Sequence, residues 1–133
     1  MALSEWLSRE ALGYQVHTNR ELGLMLSGAK PLAVFNDDHD HFAELVLRYL
    51  ARFDRYVDAG RLEKREYVEL DHGGRIHVIL YCLPGESWRI DAMIELRQRL
   101  SSWSAEAERM EGTLLGYEHW QNDIWMETRF GRA

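Results

Sequence analysis

The stretch that decides the fold of this 133-residue chain is residues 64–83, which read KREYVELDHGGRIHVILYCL. Two strand-like runs, Lys64–Leu70 and Arg75–Leu83, flank residues 71–74, whose glycines can take the positive φ that a tight turn needs. In the second run, positions 76, 78, 80 and 82 face one way, and positions 79, 81 and 83 the other way. This pattern predicts a β-hairpin whose second strand is central and is covered on both faces.

Upstream of this hairpin, apolar residues recur at intervals of three and four from Phe42 to Val57, which is typical of a helix with one buried stripe. We expect the helix to end near Gly60. We expect it to begin at Asp38 or Asp40, because a carboxylate there can accept hydrogen bonds from the free N–H groups of the first turn.

The residues before this helix predict a second hairpin. Apolar and other residues alternate over Glu21–Leu26, and the apolar run Leu32–Phe35 follows after residues 27–31. Further upstream, the spacing over Ser4–Gly13 predicts a short helix. The N-terminal half is therefore expected to be a helix, a hairpin and a long helix.

Downstream of the central strand, the pattern changes to helical spacing. Ser87 can cap a helix that extends toward Trp103, Ser104 can start another, and Gly112 and Gly116 are expected to interrupt it before a last amphipathic helix. The sequence thus predicts an α+β fold in one compact domain, residues 1–133. Its antiparallel sheet has about four strands from two hairpins, with a long helix between them and two or three C-terminal helices packed on it.

The amino-acid composition restricts the partners and the cellular location that we expect. The 16 basic and 22 acidic residues give a net charge of −6, which disfavours nucleic acid and anionic membranes as partners. Cys82 is the only cysteine, so no disulfide can form within the chain, and a reducing cytoplasm is the expected location. The N-terminus lacks the features of a signal peptide, and no apolar run reaches the length of about 20 residues of a membrane span. We expect no cofactor, and no local motif assembles a catalytic set.

One candidate pocket lies around the central strand. His77 interrupts an apolar run, Tyr81 shares its face of the strand, and Trp88 and Arg89 follow at the start of the next helix. Aromatic walls with an arginine suit a carboxylate or a flat ring, and His77 would act as an acid or base. This predicts a small enzyme or ligand-binding domain. Core packing and ordinary ion pairs are the favoured explanation of the same residues.

A second candidate is a metal site at His39, Asp40 and His41. Imidazole and carboxylate groups are suitable metal ligands, and metal-assisted hydrolysis would also need distant ligands such as His17, His72 or His119. The spacing matches no strong metal motif. A solvated turn that caps the long helix is the favoured alternative.

A third candidate is a partner-binding surface near the C-terminus, made of Trp120, Asp123, Trp125 and Glu127. Tryptophan is enriched at interface hot spots, and acidic charge speeds encounter with a basic partner. The leading hypothesis is therefore an interaction protein of unknown process, such as an acidic inhibitor or an immunity-like protein for a basic partner. Whether the protein is an enzyme is left open, as is a homo-oligomer through a sheet edge or the terminal helix.

Overall fold

The computed structural model describes residues 16–38, 42–71, 74–99 and 103–131. Its elements, in chain order, are α1 (Glu21–Leu26), β1 (Leu32–Asp38), α2 (Glu44–Asp58), β2 (Glu63–Asp71), β3 (Gly74–Cys82), α3 (Ser87–Arg99), α4 (Ala105–Leu114) and α5 (His119–Phe130). The described strands form one antiparallel sheet in the order β1-β3-β2. The α+β class is confirmed, with three strands in this part of the chain where about four were predicted.

The hairpin at residues 64–83 is confirmed. β2 and β3 pair antiparallel from Glu63 opposite Cys82 to Asp71 opposite Gly74. β1 pairs with the other side of β3, from Leu32 opposite Cys82 to Asp38 opposite Ile76. β3 is therefore the central strand, as its apolar pattern predicts. Residues 72 and 73 lie outside the described ranges.

The prediction of a first hairpin is wrong, because Glu21–Leu26 forms the helix α1. Leu22 and Met25 are three positions apart and are both buried, which is helical spacing. The Leu22 N–H donates to the Tyr49 hydroxyl of α2 at 3.2 Å. This contact provides a partner for an N–H group in the first turn of α1, where N–H groups have no acceptor within the helix. Tertiary packing thus outweighs the local alternation. The helix predicted over Ser4–Gly13 lies outside the described residues.

The long helix α2 begins later than predicted. Asp38 is the last residue of β1, where it pairs with Ile76, and Ala43 occupies the N-cap position. Asp38 therefore continues the sheet, and Asp40 is not described. The predicted end is confirmed, since α2 ends at Asp58 and Gly60 follows with φ of 76°.

The sheet carries a hydrophobic core on each face. The buried core toward α1 and α2 consists of Leu22, Met25, Ala33, Leu50, Phe53, Leu62, Ile79 and Tyr81. The buried core toward α3 and α4 consists of Leu32, Val78, Leu80, Cys82, Ile90, Met93 and Leu114. Odd and even positions of β3 enter different cores, which confirms the predicted alternation.

Among the described residues, three helices follow the sheet, in agreement with the upper predicted number. The Ser104 side chain accepts from the Ala107 N–H at 3.1 Å and caps α4, as predicted. Gly112 lies inside α4 and does not interrupt it; a Cβ atom there would lie 2.2 Å from the Asn122 side-chain oxygen, so this glycine permits the close approach of α5. Gly116, with φ of 98°, follows the end of α4. Within the described ranges no helix has the length and apolar content that crossing a bilayer requires.

Candidate binding cleft

A cleft of about 330 Å³ lies where β2, α3, α4 and α5 meet. Its volume is at the lower end of the range of small-ligand sites, about 300–1,000 Å³. We call it the acidic cleft, and its lining residues are Glu69, Arg97, Trp103, Glu108, Glu111 and Arg129. Two guanidinium groups thus face three carboxylates, which leaves negative charge in excess.

Glu108 is held in place from several sides. The Trp103 indole N–H donates to one oxygen of the Glu108 carboxylate, and the Trp125 indole N–H donates to the other at 2.8 Å. Arg129 Nε lies 3.7 Å from the second oxygen, and the Glu108 side chain is only 12% exposed. A carboxylate with both oxygens engaged is a fixed charge, and it orients the Trp103 ring at the rim of the cleft.

On the opposite side of the acidic cleft, Arg97 spans from α3 to β2. Its Nη2 atom donates to Glu69 Oε1 at 3.0 Å, and both side chains are mostly buried. Arg97 Nε is buried and has no hydrogen-bond partner within the described part of the chain. Buried donors are rarely left unpaired, so this end of the cleft is not closed on its own groups.

Glu111 is the residue of the acidic cleft whose carboxylate has no direct partner among the described residues. It follows Glu108 by three positions, and residues at this spacing lie on the same face of a helix. Burial, with the nearby Glu108 carboxylate as a further cause, raises the pKa of Glu111. No hydrogen bond or ion pair joins its carboxylate to another described residue, although Arg97 and Arg129 favour its ionised form at longer range. A cation that entered the cleft would find its acceptor here.

The structure separates the four residues of the candidate pocket into two pairs. On the α2 face, His77 Nε2 lies 3.2 Å from Glu66 Oε2, and the Tyr81 hydroxyl donates to Asp54 at 2.8 Å. Burial, and then the hydrogen bond to Asp54, raises the pKa of Tyr81. The sheet lies between this pair and α3, which carries the other two residues.

Arg89, on α3, stabilises the end of another helix. Its Nη1 atom donates to the carbonyl oxygens of Thr113 and Leu114, at 3.1 and 3.2 Å, and these are the last residues of α4. A cation is favourable at a helix C-terminus, where carbonyl groups lack partners. The Arg89 guanidinium also lies 4.5 Å from the centre of the exposed Trp88 ring. The pair is therefore not joined to His77 and Tyr81 in one concave space.

His39, Asp40 and His41 lie outside the described residues, and the metal site stays a prediction. Elsewhere in the described ranges, no three His, Cys, Asp or Glu side chains are grouped to hold a metal ion. Cys82 is buried, and burial, with Glu63 as a further cause, raises the pKa of its thiol to about 11. A thiol of this kind is a poor nucleophile.

The four C-terminal candidates point in different directions from α5. Trp125 contacts Glu108 beside the acidic cleft, whereas Trp120 is 48% exposed and donates to Glu118. Asp123 accepts from Arg109 at 2.6 Å, and Glu127 is exposed. Trp125 therefore adjoins the acidic cleft.

Sequence reasoning missed the acidic cleft because its residues come from four segments that only the tertiary fold brings together. Each segment alone resembles a solvated helix or strand face. The one local signal was Glu108 and Glu111 at a spacing of three, which places like charges side by side at an energetic cost.

Comparison with known proteins adds no further constraint: no protein-family model, curated protein or solved structure matches this chain.

Proposed function

We propose that this chain is a small binding protein for a basic partner protein, and that its acidic cleft receives a lysine or arginine side chain of that partner. The observation that carries the proposal is the Glu111 carboxylate, which lines the cleft without a hydrogen bond or ion pair among the described residues. An incoming cation would relieve its repulsion from Glu108 and its unfavourable burial.

The rim of the acidic cleft supports the same occupant. Trp103 is 41% exposed, and its indole is already oriented by Glu108. A cation over an indole ring gains about 0.5–1 kcal/mol at an exposed site and more when water is excluded. The net charge of −6 would speed encounter with a basic surface.

The other hypotheses have less support. A small enzyme centred on His77 would need Arg89 on the same side of the sheet, and hydrolysis at His39 would need ligands that the described residues do not group. A reducing compartment such as the cytoplasm is the proposed location, because the only cysteine is buried and the chain can form no internal disulfide. A homo-oligomer through the edge of β2 is a further proposal, supported by the exposed side chain of Leu70.

The test is an NMR titration with blocked tripeptides Gly-Xaa-Gly, where Xaa is arginine, lysine or glutamine. The indole N–H signals of Trp103 and Trp125 report on the acidic cleft. We expect saturable shifts with the arginine and lysine peptides and none with the glutamine peptide. Glu111→Gln should weaken binding about tenfold, which corresponds to about 1.4 kcal/mol.

The matched control is Glu106→Gln, which removes an exposed carboxylate from the same helix outside the cleft. It should bind like the unaltered protein. Equal shifts with the glutamine peptide, or unchanged affinity in Glu111→Gln, would overturn the proposal. Tighter binding of putrescine than of either basic peptide would reject a protein side chain as the occupant and indicate a small amine.

A further inference from the structure

The amine of Lys30 is buried between residues 16–19 and the connection of α4 to α5. The Lys30 residue is 2% exposed. Its Nζ atom lies 2.8 Å from His17 Nδ1 and donates to the Leu115 carbonyl oxygen at 2.8 Å. Lysine is rarely buried to this degree, and here no carboxylate is within hydrogen-bond distance of the amine in the described structure.

His17 is fixed to the same connection by its ring and by its backbone. Its imidazole stacks on the Tyr117 ring, with 3.8 Å between the ring centres and 7° between the planes. The His17 backbone N–H donates to the Tyr117 hydroxyl at 2.8 Å. We call Lys30, His17, Leu115 and Tyr117 the Lys30 node.

A close backbone approach sets the geometry of the Lys30 node. A Cβ atom on Gly116 would lie 2.5 Å from the Pro31 ring and 3.6 Å from the Lys30 Cα atom. Gly116 also has φ of 98°, which a residue with a side chain rarely adopts. The chain can therefore bring the Leu115 carbonyl onto the Lys30 amine only with glycine at this position.

Burial of the Lys30 node disfavours added protons on His17 and Lys30. Burial, and then Lys30 and Arg20, lowers the pKa of His17 to about 3. Burial lowers the pKa of Lys30 to about 7, with Glu21 acting in the opposite sense. Tyr117, the remaining titratable group, has its pKa raised by burial.

The hydrogen bond between Lys30 and His17 sets a limit on protonation. A protonated lysine can donate to His17 only while the imidazole Nδ1 is unprotonated. If both groups were charged, two cations would lie within hydrogen-bond distance of each other at a site shielded from water, where their repulsion is strong. A second proton can enter only when this contact breaks.

We propose that the Lys30 node is a proton-operated latch, which on acidification releases residues 16–19 from the α4–α5 connection while the sheet and its two cores stay folded. This device is separate from the acidic cleft and does not depend on the proposed function.

The sign of the effect follows from linkage. Both pKa values are lower in the closed latch than in an open segment, so opening takes up protons. From pH 6.5 toward 3, the opening constant should rise about tenfold per unit of falling pH, because of His17. Between pH 10.5 and 7 it should rise similarly, because of Lys30.

Amide hydrogen exchange, followed by NMR from pH 5 to pH 9, measures this opening. The amide of residue 17 reports the latch directly, and the Leu80 amide in β3 reports global unfolding. After correction for intrinsic exchange, the opening constant at residue 17 should fall with rising pH in two limbs, one below pH 6.5 and one above pH 7. The opening constant at the Leu80 amide should be much smaller at every pH, although it shares the pH dependence, because global unfolding also frees Lys30 and His17.

Two variants assign the limbs. His17→Phe keeps a ring to stack on Tyr117 and should lose only the limb below pH 6.5. Lys30→Met keeps a long apolar side chain and should lose only the limb above pH 7. His119→Gln removes a histidine whose side chain is 85% exposed and should keep both limbs.

Equal opening constants at residue 17 and Leu80 at every pH would overturn the latch, since they would indicate that residue 17 opens only by global unfolding. Loss of neither limb in the variants would do the same. If either variant fails to fold, the His17 ring is titrated by NMR in the unaltered protein. A midpoint near 6.5 would then contradict the latch, and a midpoint below 5 would support it.

Discussion

The two faces of the sheet are covered in different ways. Toward α2, the rings of Phe35, Tyr49, Phe53 and Tyr81 pack with centre distances of 4.7–6.2 Å. The two tyrosine hydroxyls donate to carboxylates, Tyr49 to Glu21 and Tyr81 to Asp54. This face is filled by apolar contacts, and these two hydroxyls are paired.

On the other face, an aliphatic core is followed by a second layer that is joined by polar contacts. α5 meets α4 through Arg109 to Asp123 at 2.6 Å and Asn122 to Thr113 at 3.0 Å, and Asn122 is its one buried residue among those described. Because α4 and α5 are joined by polar contacts, the space between the elements is not filled by apolar side chains, and the Glu111 carboxylate lies there without a partner among the described residues. Both faces carry a buried core, and the second face also provides the acidic cleft.

The largest expected effect concerns the α2 face. Phe53→Ala removes a fully buried ring from the aromatic cluster and should lower the free energy of unfolding by about 3–5 kcal/mol. Urea unfolding measures it. Leu45→Ala, at a position 76% exposed on the same helix, should change it by less than about 0.5 kcal/mol. A loss below about 1 kcal/mol in Phe53→Ala would remove the distinction between the faces.

An intermediate effect is expected where α4 meets α5. Gly112→Ala forces the new Cβ atom against the buried Asn122 side chain and should cost about 1–3 kcal/mol in thermal or urea unfolding. The added Asn122→Ala substitution should restore part of this loss.

The control for this prediction is Gly23→Ala in α1, where a Cβ atom would meet nothing within 4 Å. Alanine is the better helix former, so this variant should gain up to about 1 kcal/mol. If Gly112→Ala also gained stability, the close approach of α5 would be disproved.

The smallest expected effect is a change in stability on substitution of Glu111, whose carboxylate in the acidic cleft contrasts with the paired hydroxyls of the α2 face. The raised pKa of Glu111 means that its ionised form is disfavoured in the folded protein. Glu111→Gln should therefore raise the free energy of unfolding at pH 7 by about 0.2–0.5 kcal/mol, the cost of a like-charge pair on a helix. The gain should vanish as the pH falls through the raised pKa toward the ordinary value, because the unaltered carboxyl is then protonated in both states.

Thermal unfolding of Glu111→Gln at pH 7 and pH 4 measures this change, with Glu106→Gln as the exposed control. A variant that loses stability at pH 7 would show that Glu111 has a stabilising partner. The acidic cleft would then resemble the α2 face, with its charges already paired.

Much of the fold was predictable where the deciding information is local. Alternating apolar positions and a turn with two glycines predict the β2–β3 hairpin, and apolar residues at helical spacing predict α2. α1 was not predictable in this way, because Leu22, Leu24 and Leu26 fit a strand as well as a helix. The contact that favours the helix comes from Tyr49, on another element.

The candidate sites were predicted less well, for a physical reason. Glu69, Arg97 and Arg129 read as ordinary solvated charges until the fold brings them together. Lys30 is the extreme case, since a lysine in a loop is normally exposed. Burial of a charged side chain depends on distant partners such as Leu115, which no local pattern reveals.

The strand order β1-β3-β2 also has a consequence for synthesis on the ribosome. Leu32 of β1 pairs with Cys82, 50 positions later in the chain, whereas β2 and β3 meet across a short turn. Local contacts form faster than distant ones. We therefore expect the hairpin to form before β1 joins it, and β1 to stay unpaired in the nascent chain until β3 has been synthesised.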